Sequence, residues 1–183
     1  MWLRPLPESE GGVSGLARDL ALVALGANLG DAMSTLREAA RALAGLADGP
    51  VALSAFYTTE PERCPEGSPL FVNAAAAFVP RAGIVEAAAL LRALHAIEVQ
   101  LGRAPKRVLN EARVVDLDLV AWGGRVVHSA ELVLPHPRAH LRGFVLVPLA
   151  DVAPSFVLPG QAATVSTLAR QPALRVGVRR CAT

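Results

Sequence analysis

Two aspartates one residue apart carry the strongest chemical signal in the chain. Asp116 and Asp118 lie within the segment Arg-Val-Val-Asp-Leu-Asp-Leu-Val of residues 113–120. Alternate residues of a β-strand share a face, so both carboxylates are expected on one side and the intervening aliphatic residues in the core. Paired carboxylates repel each other unless a hard cation lies between them, and Mg²⁺ accepts one or two carboxylates with water and phosphate oxygens. Taken alone, the pattern is equally compatible with two solvated acids on an edge strand.

Basic residues lie immediately before this segment. Arg103, Lys106, Arg107 and Arg113 occur on a polar stretch between two apolar segments. Cations beside paired acids suit a metal–triphosphate complex, in which the acids hold the metal and the arginines neutralise phosphate charge. Loop arginines also commonly face solvent, so the pattern indicates a phosphate site without proving one.

Aromatic and polar residues elsewhere could complete such a site. Alternation along a strand places Phe71 and Asn73 on one face, which suits a heterocycle stacked on a ring and hydrogen-bonded at its edge. His136 and Arg142 could contact phosphate oxygens, and Phe144 could stack on a flat ring. Each residue also has a structural interpretation, as a core phenylalanine, a turn asparagine or a histidine that binds nothing.

Hydrophobic periodicity indicates the elements that must position these residues. The predicted order is strand, helix, strand, strand, helix, strand, which is the ferredoxin-like βαββαβ pattern of an α+β fold, an antiparallel sheet with helices packed on it. Loops are predicted at 60–69 and 103–112, a hairpin from Gly123-Gly124 into Val126-Val127, and short elements thereafter, with 161–183 either helix or edge strand. The predicted strands are Leu20–Leu25, Val51–Thr59, Leu70–Val79 and Val114–Trp122, and the predicted helices run from Asp31 or Ser34 to Ala47 and from Ile84 to Leu101.

Length and charge limit the function classes. The 183 residues fit a flexible N-terminal extension at 1–18 followed by one domain at 19–183. A net charge of +2 is too small for a nucleic-acid reader. No apolar run reaches the roughly 18 residues of a membrane span, and the first residues do not resemble a secretory signal. A cytoplasmic protein is therefore expected, with Cys64 and Cys181 as free thiols.

The motifs, taken in order, resemble the 6-hydroxymethyl-7,8-dihydropterin pyrophosphokinase family. The resemblance covers about residues 20 to 160 and depends on several weak motifs that occur together with family-like spacing. These motifs are Ala24-Leu25-Gly26-Ala27-Asn28-Leu29-Gly30-Asp31, Ser54-Ala55-Phe56-Tyr57-Thr58-Thr59-Glu60-Pro61, Phe71-Val72-Asn73-Ala74-Ala75, Ile97-Glu98 with Gly102-Arg103, Arg113 with Asp116-Leu117-Asp118, Leu134-Pro135-His136, Arg142-Gly143-Phe144 and Pro148-Leu149-Ala150-Asp151-Val152-Ala153-Pro154.

The resemblance implies an enzyme that transfers pyrophosphate from ATP to the pterin hydroxymethyl group and releases AMP in folate biosynthesis. Asp116 and Asp118 would hold two Mg²⁺ ions, with Asp118 also assisting deprotonation. The pterin would lie between Phe71 and Phe144, with Asn73 at its polar edge and Thr59 and Glu60 completing the pocket. Arg103 and Arg113 would be catalytic, and the remaining nucleotide contacts would be Glu98, Lys106, Arg107, His136 and Arg142.

Departures from the family pattern leave alternatives open. Residues 109–113 read Leu-Asn-Glu-Ala-Arg where the family often has Arg-Trp-Gly-Pro-Arg, and Pro105 and Pro137 replace an arginine and a tyrosine. The chain could be a catalytically weakened pterin- or nucleotide-binding relative, a ferredoxin-like regulatory module, or an ATP-dependent transferase with another acceptor. A monomer that binds the two small-molecule substrates is the expected state.

Overall fold

One antiparallel sheet organises the molecule. A computed structural model describes residues 19–62, 64–104 and 112–182. The strands are β1 Ala21–Ala27, β2 Ala52–Leu53, β3 Tyr57–Thr59, β4 Phe71–Phe78, β5 Asp116–Trp122, β6 Val127–His128, β7 Val133–Leu134 and β8 Arg179–Arg180. The strand order is β5-β1-β4-β3-β8, with β2 also paired to β4, and a small separate sheet contains β6 and β7.

Helices cover the two faces of this sheet. The helices are α1 Ala32–Leu43, α2 Ala87–Gln100, α3 Gly143–Val152, α4 Val165–Ala169 and α5 Pro172–Arg175. Helices α1 and α2 pack on one face and α3 and α4 on the other, while α5 lies against α3. The order β1-α1-β2/β3-β4-α2-β5 confirms the predicted βαββαβ core and the α+β class.

The first helix begins where its capping residue predicts. The Asp31 carboxylate accepts a hydrogen bond from the backbone N–H three residues on (3.0 Å), which satisfies one of the free donors of the first turn. The helix ends at Leu43 rather than Ala47, because a 3₁₀ turn replaces its last residues. The second helix begins at Ala87, three residues later than the predicted Ile84.

The predicted strand Val51–Thr59 is divided in two. Three residues separate Leu53 from Tyr57, whereas two residues separate their partners on β4, so the chain bulges between β2 and β3. The bulged backbone N–H of Ala55 donates to the Asp151 carboxylate at the far end of α3 (3.1 Å). A side chain distant in sequence therefore ends the strand, which no local pattern could indicate.

The prediction of a hairpin from Gly123-Gly124 into Val126-Val127 is wrong, because the residues after the turn do not pair with β5. A tight turn does form, with the Arg125 N–H bonded to the Trp122 carbonyl (3.0 Å). After that turn, Val127 pairs with Leu134 of β7 instead of returning along β5. The neighbour of β5 in the main sheet is β1, and the following residues form their own two-stranded sheet.

The region after Pro135 contains more regular structure than predicted. Helix α3 spans 10 residues and includes Pro148, which lacks the N–H needed for one intrahelical bond. The helix persists because most of its side chains, including Leu146 and Leu149, are buried against the sheet. Residues 161–183 supply both of the alternatives left open by the sequence, namely helices α4 and α5 and the edge strand β8.

Three predictions fall wholly or mostly on residues that the structure does not describe. These are the extension at 1–18, the contacts of Lys106 and Arg107, and the loop at 103–112, of which 105–111 lie outside the described ranges. Among the helices of the described ranges, none is both long and apolar enough to cross a bilayer.

Candidate active site

A pocket opens on the half of the sheet that α3 and α4 leave uncovered. Strand alternation directs Asp116, Asp118, Phe71 and Asn73 toward it, while the residues between them face α1 and α2. The pocket is lined by Ala24, Leu25, Gly26, Thr59, Glu60, Glu62, Cys64, Phe71, Asn73, Arg113, Asp116, Asp118, Arg142 and Phe144.

The two aspartates lie on the same face of β5, as predicted. Asp116 is paired with Gly26 and Asp118 with Ala24 on β1, so small residues stand beside both carboxylates. Between them, Leu117 is 1% exposed and faces the opposite core. Across residues 19–62, 64–104 and 112–182, no cluster of three His, Cys, Asp or Glu side chains could hold a metal. Two hard carboxylate oxygen donors fit Mg²⁺, which readily takes its other ligands from water and phosphate.

Arginines flank the first aspartate on both sides. Asp116 Oδ1 lies 2.8 Å from Arg103 Nη1, and Asp116 Oδ2 lies 2.5 Å from Arg113 Nη1. Both arginine side chains are mostly buried, with 13% exposure for Arg103 and 15% for Arg113. Charge-assisted hydrogen bonds of this kind orient planar arginines, which can then present further donors to phosphate oxygens.

Asn28 fixes the backbone that carries Arg113. Its Oδ1 accepts from the Arg113 N–H (2.7 Å), and its own N–H donates to the Arg113 carbonyl (3.1 Å). Asn28 is 5% exposed, and its amide also donates to the Pro69 carbonyl (3.4 Å). The turn after β1 therefore joins the loops before β4 and β5. Asn28 belongs to the motif Ala24–Asp31, but nothing in that motif indicates this role.

Glu98 lies behind the site rather than in its lining. The carboxylate is 3% exposed, accepts from the Leu117 N–H (2.6 Å) and forms a short ion pair with Arg103. Burial raises the pKa of Glu98 to about 7, opposed by the Leu117 hydrogen bond and the Arg103 charge. Glu98 thus holds Arg103 and the strand between the aspartates and is not among the residues that line the pocket. Its contact with ATP stays a prediction.

A bulge in β5 positions His136. Pairing with β1 shifts register between Leu22 and Val23, which leaves Val120 as an extra residue. The Val120 carbonyl accepts a hydrogen bond from the His136 N–H (2.8 Å), which attaches the loop that contains His136 to the strand that carries Asp118. Burial lowers the pKa of His136, and the charge of Asp118 opposes this shift. His136 is near the pocket but is not one of the residues that line it.

Arg142 and Phe144 lie at the start of α3. The Arg142 guanidinium is 5.3 Å from the centre of the Phe144 ring, and both side chains line the pocket. Burial lowers the pKa of Arg142, although it remains a cation at neutral pH because its ordinary value is so high. A cation and an aromatic face are thus presented together, as a planar acceptor next to phosphates would require.

The aromatic side of the pocket is closely packed. Asn73 is 5% exposed and donates its amide N–H to Thr59 Oγ1 (2.8 Å). A Cβ placed on Gly26 would lie only 3.2 Å from Asn73 Oδ1, so a larger residue here would crowd that oxygen. Phe71, Thr59 and Asn73 belong to paired positions of β3 and β4 on one sheet face. The structure thus brings the five residues predicted to bind the acceptor, Thr59, Glu60, Phe71, Asn73 and Phe144, to one pocket. Glu62 also lines it, as does Cys64, for which no role was predicted.

The arrangement has the chemistry of a phosphoryl-transfer site, with carboxylates for a divalent cation, arginines for phosphate and aromatic rings for a planar acceptor. The family model of 7,8-dihydro-6-hydroxymethylpterin-pyrophosphokinase (HPPK) matches residues 22–154. The chain therefore belongs to this family, which confirms the resemblance seen in its motifs.

Curated relatives agree with the family match. The chain is 38% identical over 142 residues to the 2-amino-4-hydroxy-6-hydroxymethyldihydropteridine pyrophosphokinase of Methylorubrum extorquens, covering 77% of this chain and 87% of the relative. It is 35% identical over 140 residues to the protein of the same name from Haemophilus influenzae, covering 76% and 84%.

Solved structures share the fold. A Plasmodium falciparum HPPK-DHPS crystal structure matches with a TM-score of 0.66 at 14% identity over 86% of this chain. This chain spans 45% of that protein's length, so it corresponds to less than half of the solved chain. At this identity the likeness supports the architecture alone.

Proposed function

We propose that this protein transfers the pyrophosphoryl group of ATP to the hydroxymethyl oxygen of 6-hydroxymethyl-7,8-dihydropterin and releases AMP in folate biosynthesis. One observation carries the proposal: the carboxylates of Asp116 and Asp118 open into the same pocket as Phe71, Asn73 and Phe144. A phosphate-handling group and a binding surface for a flat heterocycle therefore meet at one place. Membership of the pyrophosphokinase family supports the same reaction.

The aromatic side of the pocket would bind the pterin. Phe71 and Phe144 would contact its two faces, and the Asn73 carboxamide would meet its polar edge. The hydrogen bond from Asn73 to Thr59 supports this assignment, because it fixes the amide orientation and leaves Oδ1 free to accept from the pterin. Glu60, on the rim of the same pocket, would accept from a ring N–H.

The acidic side would bind the nucleotide phosphates. Asp116 and Asp118 would hold Mg²⁺, and two ions are proposed because two carboxylates and a triphosphate offer enough oxygen ligands. When bound, the ions would withdraw charge from the phosphate oxygens and lower the barrier to in-line displacement. Arg103, Arg113 and Arg142 would neutralise the remaining phosphate charge.

Further nucleotide contacts are proposed on both flanks of the acidic pair. His136 would donate to a phosphate oxygen, since the Val120 bulge holds it beside the strand that carries Asp118. Lys106 and Arg107, which lie outside the described ranges, remain predicted contacts on the loop at 103–112. That loop and the loop at 60–69 would close over the substrates and exclude water, which strengthens charge contacts in the pocket.

The transfer itself forms one bond and breaks another. The acceptor oxygen attacks the β-phosphorus, and the bond from that phosphorus to the bridging oxygen of the α-phosphate breaks, so AMP leaves with that oxygen. The hydroxymethyl proton passes to Asp118, the carboxylate to which the family resemblance gives that role. Arg103 and Arg113 stabilise the charge that accumulates during transfer.

A product assay tests this function directly. Purified full chain would be mixed with ATP, Mg²⁺ and 6-hydroxymethyl-7,8-dihydropterin, and AMP and the pyrophosphorylated pterin would be measured by chromatography. We expect both products in equal amounts, and no AMP when the pterin is omitted. Pterin binding without AMP would instead indicate a catalytically weakened relative, and AMP formation only with another acceptor would indicate a different transferase.

We also propose that the protein is cytoplasmic and monomeric. The monomeric state is supported because one copy supplies both the acidic and the aromatic sides of the pocket. Light scattering coupled to size exclusion should give the mass of a single chain, 19.1 kDa. A dimer mass at working concentration would contradict the proposal.

A further inference from the structure

The last residues of the chain lie against the acceptor side of the pocket although they fall outside the family match. That match ends at residue 154, whereas α5 spans Pro172–Arg175 and β8 spans Arg179–Arg180. Two separate contacts join this C-terminal segment, residues 172–181, to the residues that would hold the pterin.

The first contact is made at Gly143, the first residue of α3. A Cβ placed there would lie 1.7 Å from the Leu174 carbonyl oxygen and 2.7 Å from its carbon. The carbonyl therefore occupies the space that any larger residue would need. Gly143 directly precedes Phe144, so α5 lies over the turn that aims the pocket's aromatic ring.

The second contact is the pairing of β8 with β3. Arg179 pairs with Thr58, and the Cys181 N–H donates to the Phe56 carbonyl (2.8 Å). Thr59 follows Thr58 in β3, and its hydroxyl accepts a hydrogen bond from the side-chain amide of Asn73. Without β8, this edge of the sheet would lose the backbone partners that hold it in place.

A groove between the two contacts adjoins the acceptor pocket. It shares Thr59, Glu60, Glu62 and Phe144 with that pocket, so these four residues form a common wall. The other side of the groove is formed by the C-terminal segment through Ala173, Leu174, Val176, Gly177 and Val178.

We propose that the C-terminal segment is a positioning element for the acceptor site. It holds Phe144 through the contact of Leu174 with Gly143, and Thr59 through β8, and so sets the affinity for the pterin. Its contacts reach the acidic side only through Arg142, which precedes Gly143, whereas they reach the acceptor side through both Phe144 and β3. ATP binding should therefore depend on the segment less than pterin binding does. This inference depends on the proposed function, because it assumes that the pocket's aromatic side binds the acceptor.

Gly143→Ala tests the first contact. The added methyl group must displace Leu174 or Phe144, so the KM for the dihydropterin should rise about tenfold, corresponding to about 1.4 kcal/mol, with a much smaller change in the KM for ATP. Gly124→Ala is the matched control, since its Cβ would meet nothing within 4 Å.

Cys181→Pro tests the second contact without altering the first. Proline removes the N–H that donates to Phe56, while the preceding residue keeps the extended conformation it already has in β8. Ala182→Pro, one residue beyond that hydrogen bond, is the control. We expect a severalfold increase in the KM for the pterin with Cys181→Pro only.

Urea unfolding and a binding measurement separate the outcomes. If the segment has a purely structural role, the variants should be less stable to urea, and the KM for the pterin should not rise more than the KM for ATP. Equal changes in both KM values, or no change in either, would overturn the inference. The Kd for the dihydropterin, measured by equilibrium dialysis with a non-hydrolysable ATP analogue, gives the same test without turnover. Wild-type protein that binds the pterin but forms no AMP would contradict the proposed function and not the positioning role. If Gly143→Ala does not fold, Cys181→Pro tests the positioning role by itself.

Discussion

The two faces of the main sheet come from the same strands but are covered to different extents. One face packs against α1 and α2 across β1, β4 and β5, and the core there includes Leu25, Phe78 and Leu117, each nearly inaccessible to solvent. The other face is covered by α3 and α4 over one half only. The uncovered half carries the carboxylates, the amide and the aromatic ring of the pocket.

The comparison shows how one strand can serve stability and chemistry at once. Because side chains alternate along a strand, Leu117 contributes to the closed core while its neighbours Asp116 and Asp118 face the pocket. Packing of the buried face restrains the backbone of β5, and the two carboxylates on that backbone are therefore held in fixed positions. Functional groups on a well-packed strand are positioned more accurately than groups on a loop.

The largest expected effect comes from substituting two adjacent residues of β5 whose side chains lie on opposite faces of the sheet. Asp118→Ala should reduce turnover on the order of a thousandfold while leaving the free energy of unfolding nearly unchanged, since a carboxylate that binds metal contributes several kcal/mol to catalysis. Leu117→Ala should do the reverse, with a loss of about 2–5 kcal/mol of stability and a far smaller effect on turnover per folded molecule. Steady-state kinetics and urea unfolding measure both, and near-normal turnover in Asp118→Ala would refute the assigned chemistry.

An intermediate effect is expected where α3 reaches the uncovered half. Phe144→Ala should weaken pterin binding by about 1–3 kcal/mol, the usual value for an aromatic stack on a flat heterocycle. Phe156→Ala is the comparison, because Phe156 lies in the covered half and is 9% exposed. Isothermal titration with the pterin should show the loss in the first variant only; equal losses would mean that Phe144 acts through packing.

The smallest effect concerns Tyr57, in the covered half of the same face. Its hydroxyl donates to the Asp151 carboxylate (2.9 Å), and burial followed by this hydrogen bond raises its pKa to about 12. The pKa is higher in the folded state, so the stabilisation is complete below about pH 10 and is lost as pH rises through about 12. Tyr57 is the only tyrosine, so absorbance at high pH reports it alone. A midpoint near 10 in native protein would contradict the contact, and Tyr57→Phe should cost about 1–2 kcal/mol.

Much of the fold and site could be predicted because the relevant information is local. The placement of Asp116 and Asp118 on one face follows from the alternation of a single strand, and the cap at Asp31 follows from its own first turn. The residues predicted to bind the acceptor likewise come from short motifs in and next to β3, β4 and α3, and they line one pocket. The hairpin after Trp122 was predicted incorrectly because a turn signal does not specify which strand the chain will pair with next.

The sequence by itself determined the order of the elements, the face on which each strand residue lies and the residue types available for chemistry, since these depend on neighbours a few positions apart. Only the tertiary structure decided that Asp151 bonds the backbone of a strand 96 positions away, that Glu98 is paired with Arg103 behind the pocket, and that Leu174 lies over Gly143. Such contacts depend on how complete elements pack together. Their energies arise from burial and from hydrogen bonds between residues whose proximity no local spacing encodes.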